Sequence, residues 1–88
     1  MALRVVDTGT NPIRYEDDYR GALIEISVAY NIQTDGFGFH VYVIARDNSG
    51  RPGLRTKVGG MYEASSMADA QTRGVELGRR AIDARTES

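Results

Sequence analysis

The residue best suited to acid–base catalysis is His40, the single histidine of the chain. Ser27 and Glu25 lie on what we predict to be the neighbouring strand, so a Ser-His-Glu trio is formally present. The strand pairing predicted below does not place His40 opposite Ser27, and it pairs Glu25 with Arg46 instead. A flat sheet face also lacks the pocket and the oxyanion donors that acyl transfer requires. We therefore interpret His40 as an exposed polar residue, and we expect no enzymatic activity and no catalytic residue.

Metal and cofactor sites have little support in the sequence. The chain has no cysteine, which excludes a disulfide, a thiolate zinc site, an iron–sulfur cluster and a cysteine nucleophile. The acidic run at residues 16–18 lacks the spacing of a calcium-binding loop. Gly36-Phe37-Gly38 lacks the third glycine and the following helix of a dinucleotide-binding loop. We expect no metal, no cofactor and no small-molecule substrate.

Two alternating stretches predict a β-hairpin in the middle of the chain. Apolar and polar side chains alternate over residues 19–31 and again over about residues 37–46, as in half-buried strands. Asp35-Gly36 lies between the two stretches, and this dipeptide is among the strongest signals for a two-residue hairpin turn. We therefore predict two antiparallel strands with a tight turn between them.

The tight turn fixes a definite register for this hairpin. It pairs Tyr30 with Val41 on the apolar face of the sheet. On the other face it pairs Glu25 with Arg46, which would form an opposite-charge pair across the strands. Because apolar contacts and charge agree on one register, we take it as the predicted pairing.

A third strand and a C-terminal helix follow. Residues 47–53 are rich in turn-forming types and predict an exposed loop, and residues 54–62 predict a strand with a bulge at Gly59-Gly60. The side chains of this strand expected to face the core are Leu54, Thr56 and Val58.

The helix has the clearest pattern in the chain. Ser65 or Ser66 supplies an N-cap, and Asp69 in the first turn complements the helix dipole. Gly74 and Gly78 lie at the centre of the apolar arc, which favours a close approach between helix and sheet. Opposite charges also recur four residues apart on the polar arc. These pairs are Asp69–Arg73, Glu76–Arg80 and Arg79–Asp83.

Length and composition place these elements in one domain. The chain has 88 residues, of which 41% are hydrophobic and 26% charged, as in ordinary globular proteins. We predict a flexible tail over residues 1–17 and one α+β domain over residues 18–88. That domain is a two-layer β-β-β-α unit, with a three-stranded antiparallel sheet packed by the C-terminal helix. No apolar run reaches the length of a membrane span and no secretory signal is visible, so we expect a cytoplasmic protein that does not bind membranes.

A single helix covers only one side of such a sheet. The other side, which we call the open face, combines apolar, aromatic and basic side chains. Antiparallel sheets often have one solvated face, which would need no further explanation. Leu23, Tyr42, Ile44 and Met61 together are nevertheless more apolar than a solvated face, which indicates a partner surface. The residues of the predicted interaction face are Leu23, Glu25, His40, Tyr42, Ile44, Arg46, Arg55 and Lys57.

Three short motifs resemble a family of short uncharacterised proteobacterial proteins over residues 19–85. They are Tyr19-Arg20-Gly21, Gly59-Gly60 and the helical stretch at residues 74–83. This resemblance implies no particular activity. At the level of the fold, three strands plus a helix are also similar to plant GCC-box domains and to the arm-binding domains of phage integrases. Those domains read the DNA major groove with the open face of the sheet.

Two functions remain as hypotheses. The first is a non-enzymatic interaction domain that binds a protein, or a second copy of itself, through the open face or an exposed strand edge. The alternative is DNA binding of modest affinity. The net charge of −1 provides little of the positive field that DNA binders use, and so it favours the first hypothesis. The residues expected to contact DNA are His40, Tyr42, Arg46, Arg55 and Lys57.

Overall fold

The computed structural model describes residues 4–7, 13–46, 49 and 51–87. One antiparallel sheet has the strand order β1-β2-β3-β4-β5, so each strand pairs with its neighbour in the chain. One helix, α1, follows the sheet. The α+β class, the antiparallel sheet and the C-terminal helix are confirmed. The elements are β1 (Arg4–Asp7), β2 (Ile13–Tyr19), β3 (Ala22–Asn31), β4 (Gly36–Arg46), β5 (Pro52–Ala64) and α1 (Met67–Glu87).

The predicted number of three strands is wrong, because the segment expected to form a tail supplies β1 and β2. β2 pairs with β3 from Ile13 to Tyr19, and Tyr15 is buried in the core. Inward and outward side chains alternate along β2, and Tyr15, Asp17 and Tyr19 share the inward face. Because Asp17 is polar, the sequence does not show the apolar alternation that is typical of a half-buried strand. Asp17 is only 1% exposed. The rest of the expected tail, residues 1–3 and 8–12, lies outside the described residues.

The hairpin of β3 and β4 forms, but with a longer turn than predicted. Tyr30 pairs with Phe37 rather than with Val41, and the turn spans residues 32–35. Asp35 adopts the left-handed conformation, with φ of 54°, which aspartate tolerates better than most residues. The correct register differs from the predicted one by an even number of residues. Every side chain of the hairpin therefore stays on its predicted face.

β5 extends beyond the predicted third strand at both ends, and Pro52 and Gly53 belong to it rather than to a loop. The rest of that expected loop, apart from residues 49 and 51, lies outside the described residues. A bulge is present as predicted, because the pairing shifts between Phe39 and Val41 of β4. Gly59 has a φ of 68° at this point, a conformation that glycine adopts without strain.

Thr56 and Val58 face the helix side of the sheet as predicted, since they pair with inward-facing valines of β4. Leu54 was expected to face the core with them, and this prediction is wrong because its side chain is 82% exposed. The helix packs mainly on β4 and β3. Its cover therefore does not reach the start of β5.

The core lies between the helix and the central strands. Gly74 and Gly78 provide the close approach, because a Cβ atom at these positions would lie 2.8 Å from Ile26 Cδ1 and 2.5 Å from Ile24 Cγ2. The fully buried side chains of the sheet and the buried helix residues form one cluster. Its members are Tyr15, Ala22, Ile24, Ile26, Val28, Phe39, Val41, Val43, Ala64, Ala70, Val75 and Ile82.

The helix begins as predicted. The Ser66 hydroxyl accepts a hydrogen bond from the Asp69 N–H at 3.0 Å, and the Asp69 carboxylate accepts one from the Ser65 N–H at 3.4 Å. The first bond satisfies one of the N–H groups that a helix start leaves without a partner, and the second ties the residue before the cap to the first turn. Two of the three predicted ion pairs along the helix also form, Asp69–Arg73 at 3.6 Å and Glu76–Arg80 at 2.5 Å.

Candidate functional site

The open face brings together all eight residues of the predicted interaction face. Strand pairing places Leu23, Ile44 and Arg55 in one row across the sheet. A second row joins Glu25, Tyr42 and Lys57. His40 and Arg46 lie on the same face of β4, because side chains alternate along a strand. The eight residues therefore form one continuous surface.

The charges of this surface largely neutralise one another. Arg55 donates a hydrogen bond to the carboxylate of Glu25, which is 9% exposed, and its guanidinium lies 3.7 Å from the centre of the Tyr42 ring. Arg46 donates to Asp18 at 3.1 Å. The predicted pair of Glu25 with Arg46 is therefore wrong. The actual register places Glu25 beside Tyr42 and within reach of Arg55.

Apolar exposure is concentrated at the margins of the sheet rather than on the open face. Leu23, Tyr42 and Ile44 lie on the open face and are half-buried. Met61 does lie on this face, since its Sδ atom would be 3.4 Å from a Cβ atom on Gly38. The large hydrophobic side chains that are exposed are Tyr30 (44%), Ile32 (82%), Leu54 (82%) and Met61 (59%).

His40 does oppose Ser27, contrary to the predicted register. Their pairing nevertheless does not produce a proton relay. The Nδ1 atom of His40 is buried and has no hydrogen-bond partner among the described residues. The ring of His40 packs against Tyr42, with 6.5 Å between ring centres. Glu25, the third member of the formal trio, is held by Arg55.

The outer side of β5, which we call the β5 edge, is the second feature of interest. β5 is the last strand of the sheet, so no strand in the described part of the chain pairs with this side. Leu54 and Met61 are the exposed apolar residues of this strand. Its length of 13 residues is large for an edge strand, although Pro52, two register shifts and the basic residues Arg55 and Lys57 restrict where another strand can pair.

A groove of about 930 Å³ lies beside the far end of β5, between the β3–β4 turn and the start of the helix. Tyr30 donates a hydrogen bond to Asp35 at 2.5 Å, and this bond raises the pKa of Tyr30 above its ordinary value. Arg73 donates to the Glu63 carbonyl oxygen at 2.5 Å. Tyr30, Asp35 and Arg73 are therefore engaged within the protein. Its apolar wall includes Ile32, Phe37 and Met61.

A polar cluster joins the helix to β2 on the opposite flank of the molecule. Asp83 accepts hydrogen bonds from Tyr19 at 3.0 Å and from Arg20 at 2.8 Å. The Arg20 hydrogen bond is the main cause of the lowered pKa of Asp83, while desolvation opposes it. Arg79 lies 3.5 Å from the buried Asp17 carboxylate. The predicted Arg79–Asp83 pair is thus replaced by contacts that attach the helix to β2, and this cluster has a structural role.

Other features of the described residues add no site. In the ranges given above, no three side chains of the types that bind metals come together. No helix in the same ranges is long and apolar enough to cross a membrane. A scan against protein-family models, a search of curated proteins and a search of solved structures found no match. The function must therefore be argued from the geometry of the chain itself.

Proposed function

We propose that this protein is a non-enzymatic interaction domain that binds an extended segment of another protein along the β5 edge. The observation that supports this most is the combination of a 13-residue free edge with two exposed apolar side chains, Leu54 and Met61. An edge strand presents peptide N–H and C=O groups that a further strand can bind. Pockets or apolar patches beside such an edge select among partner side chains.

The open face has less support as the primary contact surface. Its apolar residues Leu23 and Ile44 are already half-buried. Its arginines, Arg46 and Arg55, are engaged with carboxylates of the same face. A partner that covered the centre of this face would bury those ion pairs, and burying charged groups carries a desolvation penalty.

DNA binding stays a prediction with weaker support than the β5 edge. Phosphate binding gains most of its affinity when free cations displace counterions from DNA. Arg46 and Arg55 would first have to leave Asp18 and Glu25. A titration of the protein with mixed duplex DNA at low salt tests this alternative directly.

The proposal can be tested with a displayed library of random peptides selected on the immobilised full chain. Amide NMR of the labelled protein with a selected peptide should show shifts concentrated in residues 52–64. Leu54→Lys should weaken binding about tenfold, because a buried leucine contributes about 1.5–3 kcal/mol and each 1.4 kcal/mol changes affinity tenfold. The free energy of unfolding of the Leu54→Lys variant should stay within about 0.5 kcal/mol of that of the original protein, as for most exposed positions.

Ile32→Lys is the matched control for this variant. Ile32 and Leu54 have the same exposure of 82%, but Ile32 belongs to the β3–β4 turn rather than to β5. The control should bind the selected peptides as the original protein does. Shifts centred on Leu23 and Ile44, or equal losses in the two variants, would contradict binding along the β5 edge.

A further inference from the structure

The β5 edge offers a partner only a short regular stretch. Its pairing with β4 is regular from Arg55 to Val58, and register shifts interrupt it on both sides. Pro52 has no N–H to donate at the start of the strand, and the bulge at Gly59 bends its second half. A partner strand of about five residues fits between these interruptions, whereas a long edge-to-edge interface does not.

Both side chains that this stretch adds to the open face are basic. Lys57 is exposed and has no carboxylate partner among the described residues. The Arg55 side chain is 50% exposed although it contacts Glu25, and a guanidinium has five N–H donors. The other face of the stretch carries Thr56 and Val58, and the exposed Leu54 lies just before it, so basic and uncharged positions alternate along the stretch.

This pattern opposes pairing with a second copy of the chain. In an antiparallel pairing of the stretch with itself, side chains of the same face lie directly opposite one another. Arg55 would then face Arg55 or Lys57 of the second copy, and like charges in that position are destabilising. A parallel pairing would turn one sheet over and place the open face of one copy beside the helix side of the other. The edge is therefore poorly suited to an antiparallel homodimer, the arrangement that would continue both faces of the sheet.

We propose that the β5 edge accepts an extended segment of another protein in which acidic side chains alternate with apolar ones. The acidic side chains lie beside Arg55 and Lys57 on the open face. The apolar side chains lie beside Thr56 and Val58 on the helix side, and the exposed Leu54 provides a further apolar contact at the start of the stretch. This inference rests on the proposed function, because it specifies the partner of the same edge.

Three capped synthetic peptides test the inference, each alternating valine with one other residue: glutamate, lysine or glutamine. The labelled full chain is titrated with each peptide at low salt and followed by amide NMR. The glutamate peptide should shift residues 54–58 and bind about tenfold more tightly than the lysine peptide, since two cross-strand charge pairs change from attractive to repulsive. The glutamine peptide should fall between the two.

Lys57→Glu should reduce or reverse this preference, and raised salt should weaken the glutamate peptide most. Arg80→Glu is the matched control, because it makes the same change in charge at a helix residue whose side chain is 72% exposed. The Arg80→Glu variant should prefer the glutamate peptide to the same extent as the original protein.

Equal binding of all three peptides at residues 54–58 would overturn the acidic preference while leaving the β5 edge as a binding site. Failure of all three, while library-selected peptides still bind there, would overturn the inference alone, and failure of both sets would overturn the proposed function as well.

Discussion

The two flanks of the sheet are built differently. On the β2 flank, Arg79 and Asp83 of the helix reach across to Asp17, Tyr19 and Arg20, and they attach the helix to the sheet. On the β5 flank, the first half of the strand extends beyond the helix and exposes Leu54. The helix is also joined to the end of β5, where Arg73 donates to the Glu63 carbonyl oxygen. The contrast is therefore between the β2 flank and the start of β5, which leaves Leu54 exposed.

This contrast indicates that different residues determine the stability of the fold and the binding of a partner. The contacts that fix the helix lie over the centre of the sheet, on its β2 flank and at the end of β5, whereas the surface proposed to bind a partner lies along the first half of β5. Substitutions on the β2 flank and in the core should change the free energy of unfolding. Substitutions on the exposed part of β5 should change it little.

The largest effect is expected where the helix meets the sheet most closely. Gly78→Val should lower the free energy of unfolding by about 2–3 kcal/mol, because the added side chain overlaps Ile24 and the core must shift. Gly60→Ala is the control on β5, since nothing lies within 4 Å of a Cβ atom at that position. It should change stability by less than about 0.5 kcal/mol. Urea unfolding of both variants measures the difference, and equal losses would mean that the β5 flank is packed as tightly as the core.

A smaller effect is expected from the two neighbouring aspartates of β2, which point to opposite faces. Asp17→Asn should cost about 1–2 kcal/mol, because it removes the charge that compensates the partly buried Arg79. Asp18→Asn removes an exposed pair with Arg46 and should cost less than about 1 kcal/mol. The comparison uses the same substitution at adjacent positions. A larger loss at Asp18 would show that the open face, rather than the β2 flank, carries the stabilising charges.

The pH dependence of stability should reveal the smallest of these contributions. The Arg20 hydrogen bond lowers the pKa of Asp83 below its ordinary value of 3.8. Its stabilising contribution is therefore complete above that ordinary value, and it is lost as the pH falls through the lower pKa of the folded state. Asp83→Asn and Arg20→Gln should both reduce the loss of stability in acid. Urea unfolding at neutral and acidic pH measures this difference. If both variants lose as much free energy of unfolding in acid as the original protein does, the contact between Arg20 and Asp83 does not stabilise the fold.

Several elements of the fold follow from local patterns. Alternation over β3 and β4 correctly assigned each side chain of the hairpin to a face, even though the register was wrong. The serine cap, the early aspartate and the helical glycines likewise gave the helix and its close approach to the sheet. These patterns are local because backbone geometry sets a period of two for strands and 3.6 for helices.

The errors arose where distant residues decide the outcome. Asp17 interrupts the alternation of β2, and only its contact with Arg79 explains a carboxylate on the buried face. Leu54 has the correct parity for the core, but no neighbouring element covers it. The partner of Glu25 could not be predicted either, because the turn is centred two residues earlier than predicted. This shifts the pairing by four residues, so Glu25 lies opposite Tyr42 instead of Arg46 and contacts Arg55.

Local patterns are sufficient to predict which side chains share a face, where the helix starts and where the third predicted strand is bulged. The number of strands, the ion pairs of the open face and the exposure of the start of β5 depend on tertiary contacts. The physical reason is the range of the interactions. Periodicity and capping act within a few residues of the chain, whereas register, cover and ion pairing depend on where the helix crosses the sheet.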